Sequence, residues 1–196
     1  MTTTFHGPVV STNGFTGPIS GSTLATTAGT GITSGTGTVY TSNVSQVGNV
    51  ITTQIYIDVT GLTSSTTAGD IIGVNDAANC HLGQLTAAQN GTIYAGSVTC
   101  IEAPATADPD IDLYSNVEST GTENGAAGSL TGTGVVAAAG GSWTATSAVA
   151  LTAMPAANEY LYLVVGSAGG AAEDYSAGIL LIELYGYATQ TATGWS

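Results

Sequence analysis

Asp108-Pro109-Asp110-Ile111-Asp112 is the densest run of ionisable side chains in the sequence, with an acid at every second residue. In an extended segment that spacing turns all three carboxylates to one side, and oxygen ligands so arranged suit a hard cation such as calcium. An EF-hand loop is excluded, because its sixth and twelfth positions counted from Asp108 are Leu113 and Ser119 instead of Gly and Glu. A solvated acidic loop is the expectation here. A cation site of another kind at Asp108, Asp110 and Asp112 is the alternative, and no metal is assigned. Cys80 and His81 are adjacent, so in a strand they point to opposite faces. The remaining thiol and imidazole, Cys100 and His6, stand at no metal-ligand spacing, which argues against zinc. The sequence has no Gly-x-Ser-x-Gly elbow and only two His to act as a base, and no pair of acids is marked out for glycoside cleavage. The glycine-rich stretches lack the Lys of a phosphate-cradling loop. Nucleophile, base and oxyanion donors do not converge, so the expectation is a protein that is not an enzyme and carries no cofactor.

The acids stand in an unusual background, with 13 Asp and Glu, no Lys and no Arg, and a formal net charge of −13. No Lys or Arg salt bridge can form within the chain, and every carboxylate must be solvated, hydrogen-bonded, metal-bound or paired with another molecule. Nucleic-acid affinity comes largely from Lys and Arg on phosphates, and attraction to anionic lipid from polybasic patches. Both partners are therefore excluded, whereas a cationic or neutral protein surface is favoured. Trypsin-like proteases find no Lys or Arg to cleave after.

The composition reads as globular despite 28 Gly, since 43% of residues are hydrophobic. The first 45 residues are poor in large apolar side chains. They hold a short repeat in which Phe5-His6-Gly7-Pro8-Val9 returns as Phe15-Thr16-Gly17-Pro18-Ile19 around an Asn13-Gly14 turn. Two copies cannot bury a core, so residues 1–45 read as an extended arm ordered by docking elsewhere, with Phe5, Pro8, Phe15 and Pro18 as its contacts. Residues 46–196 read as the folded domain. Ile51, Thr53, Ile55, Ile57 and Val59 alternate with Thr52, Gln54, Tyr56 and Asp58, the pattern of a half-buried antiparallel strand. Further strands are expected at residues 70–74, 80–86, 92–102, 111–114, 147–151, 159–165 and 179–187, separated by Gly and Asn turns. The segment 152–158, with Pro155, reads as an irregular connection. The fold class is all-β, an antiparallel β-sandwich of jelly-roll-like kind with an amino-terminal arm. Residues 160–165 and 179–187 are apolar on both faces, which places them centrally or at a subunit contact, with Tyr160, Tyr162, Tyr185 and Tyr187 as candidate oligomer-interface residues. Cys80 and Cys100 read as two buried reduced thiols. No basic start with an apolar run suggests secretion, and no stretch reaches the roughly 18 apolar residues of a membrane helix.

Residues 5–15, Asn90-Gly91-Thr92-Ile93-Tyr94-Ala95-Gly96, Ala107-Asp108-Pro109-Asp110-Ile111-Asp112-Leu113-Tyr114 and Ala153-Met154-Pro155-Ala156-Ala157-Asn158-Glu159-Tyr160-Leu161-Tyr162-Leu163 resemble stretches of small virion structural proteins of tailed bacteriophages. The resemblance continues into the carboxyl-terminal strand and implies a capsid decoration or cement protein on the outer surface of the head shell. It implies the major capsid protein as partner, a homotrimeric state, and synthesis in the host cytoplasm. An acidic chain suits the outside, since inside it would face packaged DNA phosphates. The competing expectation is a head- or tail-fibre or adhesin module that binds a host surface receptor.

Overall fold

The computed structural model of this chain describes residues 25–167 and 171–188. Phe5, Pro8, Phe15 and Pro18, the expected arm contacts, lie outside the described residues.

Two antiparallel sheets form the body, as the alternating pattern predicts. Sheet one is built from β1 (Val39–Val47), β2 (Val50–Asp58), β4 (Thr92–Ala105), β7 (Ala148–Ala150) and β9 (Ala177–Tyr187), in the order β1-β2-β9-β4-β7. Sheet two contains β3 (His81–Gln84), β5 (Ile111–Asn116), β6 (Gly134–Ala137) and β8 (Tyr160–Val165), in the order β3-β8-β5-β6. The pairing has a simple rule: β5 pairs with β6, β4 with β7, β3 with β8 and β2 with β9. From β2 onward the chain is thus one long hairpin with its apex between β5 and β6, and the pairs β4·β9 and β5·β8 roll that hairpin into two layers.

Burial follows the period-two pattern. Ile51, Ile55 and Ile57 of β2 and Leu180, Ile182 and Leu184 of β9 are buried, and so are Ile111 and Leu113 of β5 and Leu161, Leu163 and Val165 of β8. They pack as one core. Thr53 interrupts the apolar inner row yet is fully buried, because its hydroxyl accepts a 2.9 Å bond from Asn90 Nδ2. Asn90 closes the one-turn helix α2 (Ala87–Asn90), which Thr86 caps through its hydroxyl and the Gln89 N–H.

The arm boundary expected at residue 45 falls inside the sandwich. The single helical turn α1 (Thr30–Thr33) buries Ile32 completely, and β1 pairs with β2 along its whole length. Gly29 N–H donates to His81 O, and the Ser42 hydroxyl donates to Thr26 O at 2.7 Å, so residues 25–33 close the gap between β1 and β3. The β1–β2 turn is two residues long, with Gly48 at φ +61, the left-handed conformation such hairpins require.

Candidate functional site

The acidic run is buried where a solvated loop was expected. Asp108 and Asp110 are 0% exposed and stand in the turn before β5, while Asp112 is half-buried on the strand itself, so the three do not share one extended side. Backbone donors explain the burial. Asp108 Oδ1 accepts the Asp110 N–H at 2.8 Å, Asp110 Oδ1 the Gly141 N–H at 3.3 Å, and Asp112 Oδ1 the Ala139 N–H at 2.8 Å. Asp108 also ties in Tyr175, whose hydroxyl donates to its carbonyl. Gly166 is obligatory beside them, since a Cβ there would stand 2.3 Å from Asp110 Cγ. Burial pushes the Asp112 carboxyl above its ordinary value against the Ala139 bond, and the charges of Asp110 and Asp108 add to the rise. Asp108 Oδ2 is buried without a hydrogen-bond partner. Among the described residues no three His, Cys, Asp or Glu side chains converge to hold a metal ion. The run acts as a staple that fastens segment 139–141 and Tyr175 to the start of β5.

Glu159, which the sequence reading did not single out, is the most fully engaged acid. Only 3% exposed, it accepts bonds from the Ser115 hydroxyl, the Thr133 hydroxyl and N–H at 2.7 Å each, and the Ala156 N–H at 2.9 Å. Burial alone raises its pKa, but these four donors outweigh it and hold the carboxyl below the ordinary value. Its signal in the sequence was faint, one acid ahead of an apolar strand.

The thiols are free and buried, as expected. Burial pushes Cys80 up to about 11, so it is an inert packing group wedged against Gly31 and Gly73. The His81 ring packs at 4.8 Å on Tyr160 and 6.3 Å on Tyr162, and burial lowers its pKa. The Ser65 hydroxyl donates to Asp70 Oδ2 and the Thr63 hydroxyl to Asp174 Oδ1, with no described imidazole bonded to either pair. No described helix is long and apolar enough to cross a membrane.

The four tyrosines expected to share an interface are divided between the sheets. Tyr162 is 0% exposed, and its hydroxyl donates to Glu118 O at 2.5 Å and accepts the Gly121 N–H at 3.3 Å. It is lost to any partner because the chain itself lays segment 117–125 over this side of sheet two. Tyr160, half-buried, stacks on His81. Tyr185 and Tyr187 lie on the outer side of sheet one, in register with Thr52 and Val50 of β2.

That outer side is open. Its rows carry Val39, Thr41, Asn43, Ser45 and Val47 from β1, Val50, Thr52, Gln54, Tyr56 and Asp58 from β2, and Ile179, Leu181, Glu183, Tyr185 and Tyr187 from β9. Six of the eight large apolar side chains that are exposed among the described residues belong to this sheet: Val39, Val47, Val50, Tyr94, Ile101 and Tyr187. Tyr94 and Tyr187 lie 6.3 Å apart, and Val50 is in register with Tyr187 and Val47 with Val50, so these four gather at one end. A shallow depression of about 270 Å³ between Thr41, Asn43, Gln54, Tyr56 and Leu181 marks the middle. Only Asp58, Glu102 and Glu183 of the 13 acids lie in the strands of this sheet. Ten of the 13 carboxylates are therefore held elsewhere. The arrangement is suited to contact with a surface and lacks the enclosed, polar convergence that chemistry on a small molecule needs.

No family model, curated protein or solved structure matches this chain.

Proposed function

We propose that this protein is a virion structural protein, a decoration or cement protein that binds the outer surface of a phage head shell and stabilises it, with the major capsid protein as its partner. The observation that carries the reading is the winding of the chain. Strands paired 2 with 9, 3 with 8, 4 with 7 and 5 with 6 are what we read as a jelly roll, an architecture used by viral capsid domains and by lectins. Fold alone does not select a function. Two sequence features narrow the choice: the resemblance to small phage virion proteins, and a chain with 13 acids and no Lys or Arg, whose net charge suits the outside of a DNA-filled shell.

Lectins use the same winding, and the hydroxyl- and tyrosine-rich outer side of sheet one gives the fibre or adhesin reading its support. Copy number separates the two. Quantitative staining of purified particles against the major shell protein, before and after mild heating, is expected to give near-equal copies and earlier rupture once the protein is lost. A few tens of copies with unchanged particle stability overturns the cement reading in favour of a fibre or adhesin. Deleting residues 1–20 is expected to leave a folded sandwich that no longer associates with the shell, and retained association overturns the arm as the latch.

A further inference from the structure

We infer that Asp108 and Asp110, in the turn ahead of β5, bind a calcium-class cation at the buried Asp108 Oδ2. The inference rests on this turn alone, so it holds whether or not the protein ever meets a capsid.

Three observations carry it. First, Asp108 Oδ2 is buried without a hydrogen-bond partner, on a residue that is 0% exposed. Its sister oxygen accepts the Asp110 N–H at 2.8 Å, which holds the carboxylate over the turn. A buried carboxylate without a counter-charge is costly, and the chain has no Lys or Arg to supply one. A water molecule would satisfy the hydrogen bond and leave the charge; a cation answers both. Second, the Asp110 carboxylate is buried too, and the chain keeps bare backbone against it. A Cβ at Gly166 would stand 2.3 Å from Asp110 Cγ, 2.4 Å from Oδ1 and 2.6 Å from Oδ2. Two buried acids two residues apart thus concentrate negative charge in one turn, and it reaches Asp112 on the strand, whose pKa both acids raise. Third, the donors select the ion. Besides the two carboxylates the turn gathers neutral oxygens: Ser64, 1% exposed, accepts the Asp108 N–H at 3.1 Å with its hydroxyl, and Pro109 O, which accepts the Trp143 N–H, keeps a second lone pair. Calcium takes about six to eight such oxygens, carboxylate and carbonyl alike, in irregular geometry, whereas magnesium holds on to its waters. Acids that are 0% exposed favour the ion that sheds them. Two acids with neutral oxygens are a smaller set than three converging acids, and Asp112, half-buried on β5, stands outside it. Bound there, the ion ties together the four connections that meet at the turn through Ser64, Gly141, Gly166 and Tyr175.

Calcium titration of the full 196-residue chain, first stripped with chelator and held in about 0.15 M NaCl to screen its surface acids, tests this by calorimetry and thermal unfolding. The expected result is one calcium per chain and an unfolding midpoint that climbs with calcium concentration, with magnesium weaker by about tenfold or more. Trp143 donates its backbone N–H to Pro109 O at 2.9 Å and its indole N–H to Ile111 O at 2.8 Å, so terbium, used as a luminescent stand-in for calcium, is expected to emit when the indole is excited and to be displaced by calcium. Asp108→Asn keeps an oxygen for the Asp110 N–H and replaces the other by an uncharged group. It is expected to melt no lower than wild type without calcium and to lose about tenfold or more in calcium affinity. Asp112→Asn is expected to keep that affinity within about threefold. No saturable calcium binding, or binding and terbium emission that Asp108→Asn leaves unchanged, overturns the inference. A calcium-free Asp108→Asn that melts below wild type also overturns it, because the Asp108 charge would then be compensated within the chain. Equal loss in Asp112→Asn overturns the assignment to the Asp108 and Asp110 pair.

Discussion

Strands β8 and β9 are equally apolar on both sides in sequence, yet Tyr162 of β8 is 0% exposed and Tyr187 of β9 is 46% exposed. Both central strands fill the same core from opposite sheets. They differ in what lies behind them: β8 is backed by a layer of the chain's own loops, whereas β9 is backed by nothing described. Apolarity on both sides of a strand thus indicates that a cover exists without telling whether the same chain or another molecule supplies it. The difference extends to the acids. Glu159, beside β8, is enclosed by four donors, while Glu183, on β9, keeps one partner in Gln54 Nε2 at 3.0 Å.

The largest effect is expected from that pair of acids. Glu159→Ala leaves the Ser115 and Thr133 hydroxyls and two backbone N–H groups without their acceptor and should cost about 3 kcal/mol in urea denaturation. Glu183→Ala should stay within about 0.5 kcal/mol. Equal effects would break the comparison. Next in size is Gly121→Ala, where a Cβ meets Tyr162 Cε1 at 2.6 Å and Ile71 Cδ1 at 2.8 Å. Overpacking between the loop layer and sheet two should cost about 2 kcal/mol by the same measurement.

Acid titration gives a third and smaller contrast. Glu159 has a folded pKa below the ordinary 4.5, so its contribution is complete above that value and is lost as pH falls through the folded pKa. Asp112 has a folded pKa above 3.8, so its sign is opposite, and protonation of the folded form relieves a penalty as pH falls. Urea midpoints between pH 6 and pH 3 are expected to drop less steeply for Glu159→Gln than for wild type, and more steeply for Asp112→Asn. The smallest effect belongs to the open side: Tyr94→Thr should change the unfolding free energy of the monomer by no more than about 0.5 kcal/mol, because that ring packs on little besides Tyr187. A large loss there would mean that the ring is part of the core.

Much of the fold was legible because burial on one side writes an alternation into the sequence. β2 carries Ile51, Ile55 and Ile57 at every second position bar Thr53, and β8 and β9 are near-continuous apolar runs. β1 escaped notice for the converse reason: as an edge strand it buries only Val44, so Thr, Ser and Asn fill the rest and the alternation vanishes. β6, four residues with glycine at its start, offered as little. The turn α2 did have a local signal, Thr86 three residues ahead of Gln89, which is a capping pattern. The candidate sites were less legible. Burial of Asp108 and Asp110 depends on backbone donors at 110 and 141, and burial of Tyr162 on the path of segment 117–125. Apart from the Asp110 N–H that Asp108 accepts, these partners lie far away in the chain.

The rolled hairpin also dictates an order of assembly. Ser115 pairs with Gly134, close in the chain, whereas Val50 pairs with Tyr187. Loop closure favours the near pair, so the roll is expected to zip from its apex outward, and β9 enters as the strand between β2 and β4. During synthesis the isoleucine row of β2 waits on the ribosome-bound chain until residues 177–187 emerge. A chain cut before residue 177 is therefore not a shorter sandwich but one whose larger sheet is split down its middle.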